Sequence, residues 1–285
     1  MGNFILYSST GNTDHINECR YSLLKYLAIY NLKPPDIGII INTNAPAAFE
    51  SFMPFFKQFE LKQTKEGQPV KLELIKTFLS SGEHNVLYLN ADSYFIKPVG
   101  TIFESIQAGN LLFYKQIISV DKGQVIHSQK IREYLSGSTI TIDGNKISFP
   151  QNKHFYSTEV IGINSSHIPL LKKMSALYFK LSAVLPSNPS EEFACTYYAS
   201  NEAVQTVENT ISSYRNFSEF KNLLRLFFKK NEEENIPNLV KLVNHIDAET
   251  ILHEKNQYNS QPFVKKLIST LSGKAWSVRK YQNKF

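Results

Sequence analysis

The 285-residue sequence holds only two cysteines, Cys19 and Cys195, which is too few for the disulfide framework of a small secreted domain. Each lies within an apolar-periodic segment, so both read as buried thiols rather than as a disulfide or a metal site. No apolar run approaches the length of a membrane-spanning helix. The start, MGNFILYSST, lacks the basic residues and long apolar stretch of a signal peptide, so a cytoplasmic location is expected. Internal repeats and low-complexity tracts are also missing. No Arg-rich, aromatic-interleaved strand pattern points to RNA or DNA, and nucleic acid is not expected as a partner. With 42% hydrophobic and 20% charged residues, what remains is a globular composition, long enough for a large single α/β domain or for one domain with a small appendage, between which length does not decide.

A net charge of +6 favours anionic partners. The basic residues concentrate late, in residues 217–230 and 265–284. Phe217, Phe220, Leu223, Leu224, Phe227 and Phe228 recur at helical spacing, with Lys221, Arg225, Lys229 and Lys230 on other faces. Core packing explains this stripe most simply. A basic amphipathic helix can also lie on an anionic membrane, and Trp276, Arg279, Lys280 and Tyr281 would add to such a peripheral contact.

The most informative segment is 85–99, NVLYLNADSYFIKPV. Val86, Leu87, Tyr88 and Leu89 form a short apolar run that suits a strand buried on both faces of a parallel sheet. Ligands bind beyond the carboxyl ends of such strands, where Asn90-Ala91-Asp92 falls. Asn90 and Asp92 can offer oxygens to one hard cation, and that cation can hold a diphosphate. A capping or turn aspartate is the alternative reading of the same residues.

Around this segment, residues 4–8 read as a first strand, and about 15–30 as a helix with Ile16, Cys19, Leu23, Leu24 and Leu27 at helical spacing. A second buried strand at 37–41 stops at Asn42-Thr43-Asn44. A strand near 57–61 and a helix over 70–80 precede the acidic strand. A short helix at 101–107 follows, then single strands at 111–120 and 155–163 flanking a hairpin-rich stretch, with Asp121-Lys122-Gly123 and Asp143-Gly144-Asn145 as turn signals. Helices are predicted at 167–181, 190–200 and 218–230. Alternating strands and helices in the first hundred residues argue for an α/β sandwich with its site on one sheet edge. Lys71 opens the helix before the acidic strand, His15 lies near the first helix N-terminus, and Glu191-Glu192 open a later helix, where acids also suit the macrodipole.

Together these segments resemble bacterial glycosyltransferases of the GT-A fold, nucleotide-sugar-dependent enzymes with an Asp-x-Asp metal motif at a strand end. Residues 70–75 and 86–97 look like the family's lysine-bearing helix followed by its metal strand. YSTEVIGI (156–163) looks like its acceptor-side strand, EEFACT (191–196) like its Glu-Gln-x-Ala helix start, and Ile251-Leu252-His253 occupies the place of its late metal-binding histidine. Asn90 stands where the family has its first aspartate, Ser157 for its asparagine, Glu159 for its glycine and Glu192 for its glutamine.

The resemblance implies a GT-A-like three-layer α/β sandwich with a mixed, mostly parallel sheet. A nucleotide-sugar and acceptor domain would span 1–215, with a C-terminal helical, basic extension over 216–285. It further implies hexosyl transfer from a nucleotide-diphosphate sugar to a glycan or lipid-linked acceptor. Mn²⁺ or Mg²⁺ would be held by Asp92, Asn90 and His253, and Tyr7, Ser8, Asn42, Thr43, Asn44, Asn90 and Lys71 would line the donor pocket. An inverting path needs a carboxylate base, for which Glu191 or Glu192 is placed; a retaining path needs none in some models. The departures keep open a domain of this type that binds without catalysing. A nucleotidyltransferase ranks lower, because the turn at 8–14 has one glycine and no basic residue.

Overall fold

Residues Gly2–Ser9 form the first strand, β1, because their apolar side chains serve two cores in alternation. Ile5 and Tyr7 enter one hydrophobic cluster and Leu6 enters another. The same period of two divides the next strand, β2 (Gly38–Thr43), into Ile39 and Ile41 on one side and Ile40 on the other. In this computed structural model the described residues are 2–64, 70–119, 140–142, 144–147, 154–184, 190–215, 217–272 and 275–285. The turn expected at Asp121-Lys122-Gly123 lies outside them.

The remaining strands are β3 (Phe59–Gln63), β4 (His84–Leu89), β5 (Ser93–Phe95), β6 (Leu111–Phe113), β7 (Gln116–Ser119), β8 (Ile140–Ile142), β9 (Asn145–Ile147), β10 (His154–Tyr156), β11 (Val160–Asn164), β12 (Val204–Thr206) and β13 (Ile211–Ser213). The helices are α1 (Thr13–Ile29), α2 (Lys71–Leu79), α3 (Gly100–Gln107), α4 (Ile168–Val184), α5 (Ser190–Ala199), α6 (Ser218–Lys230), α7 (Ile236–Val243), α8 (Ala248–Asn259) and α9 (Phe263–Leu271). The central sheet runs β12-β6-β11-β4-β1-β2-β3. Strands β3, β2, β1 and β4 are parallel, and β11 is antiparallel to both β4 and β6. This is the mixed, mostly parallel sheet expected.

One face of the sheet packs on the cluster that includes Cys19, Leu23, Leu24 and Leu27 of α1 together with Phe220, Leu223, Leu239, Val243 and Ile251 of α6–α8. The other packs on Leu72, Ile75, Leu171, Met174 and Cys195 of α2, α4 and α5. The result is three layers. Cys19 and Cys195 are free and buried, and the stripe of α6 is core. Among the described residues no helix is long and apolar enough to cross a membrane.

Two strands read as single are each divided. Tyr114 N–H donates to Ser157 O at 3.1 Å and Ser157 N–H donates to Lys115 O at 2.9 Å. The chain therefore leaves the central sheet after β6 and again before β11, and β7 pairs with β10 instead. The hairpin expected around Gly144 forms between β8 and β9, with Gly144 at φ +78°. The loop at 45–59 contains two 3₁₀ turns, Pro46–Ala48 and Glu50–Phe55.

Candidate active site

Strand β1 leads through α1 to β2 on one side, while its other neighbour is β4. The strand order therefore reverses between β1 and β4, and a crevice opens beyond their carboxyl ends. A cavity of about 430 Å³ lies there. Its wall includes Ser8, Asn90, Asp92, Lys71, Glu191 and Glu192, six of the residues singled out in the sequence. His15, Glu18, Tyr88, Tyr178, Arg215 and Lys221 also line it.

The β4 tip is held by backbone. Asn90 N–H donates to Glu159 O at 2.9 Å, and Ser93 N–H returns to Asn90 O at 3.0 Å, which makes a tight turn into β5. Tyr214 N–H donates to Asp92 O at 3.2 Å, and β13 pairs antiparallel with β5. That pairing delivers Arg215 beside Asp92. Helix α1 begins at the same rim because Asn12 Oδ1 accepts from Asp14 N and His15 N, after Gly11 has taken φ +107°.

The cavity's charges are paired across it. Lys71 Nζ lies 2.6 Å from Glu191 Oε1 and donates to Thr158 O at 2.7 Å. Thr158 Oγ1 also donates to Glu191 Oε1 at 2.7 Å. Burial alone would lower the Lys71 pKa, but Glu191, by charge and hydrogen bond, together with Tyr88 and Glu192 outweighs it and holds the ammonium above the ordinary lysine range. Arg215 Nη1 reaches Glu192 at 3.3 Å and Glu159 at 3.5 Å. Lys221 Nζ lies 2.7 Å from the buried Glu18 carboxylate. Burial raises the Glu18 pKa, and Lys221 offsets only part of that.

Asp92 differs from these residues in having no ion-pair partner among the described residues. Its Oδ1 is buried and has no hydrogen-bond partner among the described residues. Burial raises its pKa, with partial relief from Lys221 and Arg215, and burial together with the Asp92 charge raises that of Glu159. An unpartnered carboxylate oxygen beside an asparagine amide suits a hard cation that draws the rest of its shell from phosphate and water. Among the described residues no three His, Cys, Asp or Glu side chains form a metal-binding group; of the three residues the resemblance offers for a cation, Asp92 and Asn90 line the cavity.

His253 does not join them. It lies on the exposed side of α8, with Nε2 2.8 Å from Gln257 Nε2, because the helix continues through it and turns it to solvent. Tyr7 is sealed in the core, with its hydroxyl 3.0 Å from Ser22 Oγ, because strand alternation points residue 7 inward where residue 8 meets the cavity. Asn42 and Thr43 are buried at the β2 tip. Asn42 donates to Tyr7 O at 3.4 Å, and Thr43 Oγ1 accepts from Ala45 N at 3.1 Å. Asn44 is exposed and donates to Gly11 O at 3.4 Å. These three residues hold loops together and do not line the cavity.

The sequence reading does not pick out Glu18, Tyr88, Tyr178, Arg215 or Lys221 as cavity residues. Glu18 carried one signal, a carboxylate one residue before Cys19 in the apolar-periodic part of a helix. Arg215 carried none, since the β5–β13 pairing alone brings it in.

No family model and no curated protein matches this chain. Among solved structures it is similar to mouse xyloside xylosyltransferase 1 in its apo form, at 10% identity over 73% of this chain and 85% of that one, with a TM-score of 0.43. It is also similar to the galactosyltransferase LgtC in complex with donor and acceptor sugar analogues, at 14% identity over 72% of this chain and 73% of that one, with a TM-score of 0.46.

Proposed function

We propose that this chain transfers a hexosyl group from a nucleoside-diphosphate sugar to an acceptor hydroxyl, on a glycan or lipid-linked glycan of the cell surface, in the cavity beyond β1 and β4. The observation that carries this reading is the unpartnered Asp92 carboxylate oxygen, set at the sheet's switch point among Lys71, Arg215 and Lys221. Glu191, Glu192 and Glu18 pair with Lys71, Arg215 and Lys221, so the charge left over is the Asp92 carboxylate, which suits a divalent cation that in turn holds a diphosphate leaving group.

Lys71, Arg215 and Lys221 take up negative charge as it grows on the departing diphosphate. Glu191 acts by fixing Lys71, since its Oε1 accepts from both Lys71 and Thr158. Glu192, steadied by Arg215, is the base for the acceptor hydroxyl. Ser8, at the β1 tip, contacts the nucleoside side of the donor. Asp92 and Asn90 would hold Mn²⁺ or Mg²⁺, which when bound neutralises charge on the diphosphate.

Donor turnover in the Asp92→Ala protein tests the reading. Activity is expected to vanish, while Asn90→Asp retains or raises it; full turnover by Asp92→Ala overturns the assignment. A second reading, nucleotide-sugar binding without transfer, is favoured by the pairing of Glu18, Glu191 and Glu192 with Lys221, Lys71 and Arg215, which ties up each glutamate lining the cavity. Titration with UDP and GDP, with and without Mn²⁺, separates the two, because a binder shows affinity and no donor hydrolysis.

A further inference from the structure

Helix α9 is nine residues long and none of them is buried. Phe263 is 78% exposed, Val264 66%, Leu267 48%, Ile268 60% and Leu271 80%. At about 100° per residue these five side chains share one arc of roughly 140°. Lys265 and Lys266 fall about 60° beyond its two edges, Ser269 lies opposite, and Thr270 sits about 20° outside the Phe263 edge. Scattered exposed apolar residues need no explanation, but a continuous stripe bordered by cations does.

From residue 260 to residue 285 the chain carries six Lys or Arg and no Asp or Glu. Lys280 is paired with Glu254 of α8, which leaves the others to set the sign of this end. A second copy presenting the same face would bring lysine against lysine. It would also have to build an interface on a helix only about 14 Å long, whereas stable dimers bury about 1,200–2,000 Å² in total. Nine residues cannot span a bilayer, which needs about 20. A short helix with an apolar arc flanked by lysines fits the headgroup boundary, with its stripe in the acyl region and its ammonium groups among anionic headgroups.

We propose that α9 docks this protein on an anionic lipid surface, with Phe263, Leu267, Ile268 and Leu271 inserted and Lys265 and Lys266 supplying the preference for negative charge. The assignment moves the lipid-facing role from α6, whose stripe is core, to α9. It stands whether or not the cavity transfers sugar.

Flotation with phosphatidylcholine vesicles, with and without phosphatidylglycerol, tests it on the full chain. The protein is expected to float with the anionic vesicles at least about tenfold more than with the neutral ones, and to be released by high salt. Leu267→Glu with Ile268→Glu is expected to abolish flotation while leaving the melting temperature and UDP binding unchanged. Lys265→Glu with Lys266→Glu is expected to erase the preference for phosphatidylglycerol. No flotation, equal flotation with both vesicle types, or undiminished flotation of the Leu267/Ile268 variant overturns the proposal. So does a sedimentation-equilibrium dimer that the Leu267/Ile268 variant dissociates.

Discussion

Helix α6 buries Phe220, Leu223, Leu224, Phe227 and Phe228 to within 4% of full burial, whereas α9, with five apolar side chains on one arc, leaves each of them at least 48% exposed. Helix α1 covers the first stripe. Tyr21 and Phe220 meet edge to face at 5.2 Å, and Arg20 lies 4.1 Å from the Phe228 ring centre. The polar faces differ in the same way, since Lys221 of α6 meets Glu18 and Arg225 pairs with Asp14, both on α1. The comparison teaches that helical periodicity marks a face that must be covered without naming what covers it. For α6 the cover is α1, with apolar rings and acids in register. The segment carrying α9 has no acid of its own.

The largest effect that could break this contrast comes from truncating both stripes. Phe220→Ala is expected to cost about 3–5 kcal/mol of unfolding free energy in urea, as for other large aromatic deletions in cores. Leu267→Ala is expected to stay within about 0.5 kcal/mol. Similar losses from the two substitutions would mean that the chain itself covers α9, and the distinction would fall.

A smaller effect sharpens the comparison on the polar side. Lys221→Met leaves the Glu18 carboxylate buried with its cation gone, and a buried charge stripped of its partner is strongly unfavourable. Lys221 is itself about a quarter exposed, so a loss of about 2 kcal/mol is expected rather than the full 3–5. Adding Glu18→Gln should recover most of it, and a double-mutant cycle measures the coupling. Lys265→Met in α9 should leave stability unchanged. If Glu18→Gln recovers nothing, the α1–α6 charge pair does not contribute as its geometry implies.

How far each feature was legible follows the range of the interactions that make it. Helix α6 has the bounds its pattern predicts, 218–230, and the run 86–89 is a central strand ending at the cavity, because local periodicity and burial agree there. The strands at 111–120 and 155–163 were each read as one, since their division depends on a two-bond exchange between Tyr114–Lys115 and Ser157 that no local pattern encodes. Ser8, Lys71, Asn90, Asp92, Glu191 and Glu192 line the cavity from element ends, and strand tips and helix starts are what a sequence shows most directly. Tyr7 lies outside the cavity because neighbours along a strand point to opposite faces, and Asn42 and Thr43 because the cavity opens beyond β1 and β4 rather than at the β2 tip. Arg215 reaches the cavity through long-range pairing, which one sequence cannot show.

The smallest predicted effect concerns the charge left over when the cavity's pairs are counted. Asp92 has a sealed oxygen with no partner among the described residues, and burial raises its carboxyl pKa despite Lys221 and Arg215. A carboxyl whose folded-state pKa exceeds its unfolded value of about 3.9 binds its proton more tightly in the folded chain. Its contribution to stability is present below the unfolded value and is lost as pH rises through the folded one. Asp92→Asn keeps the shape and removes the titration. At neutral pH the variant is expected to be more stable than the wild type by about 1 kcal/mol while losing donor turnover, the trade-off of a site held in a costly state for its chemistry. Below the unfolded value that advantage should disappear. Thermal melts of both proteins across the acid-to-neutral range measure this difference. If the two curves run parallel, Asp92 does not titrate as a buried, unpartnered acid; if Asp92→Asn is less stable at neutral pH, then Lys221 and Arg215 hold Asp92 as firmly as they hold their glutamates.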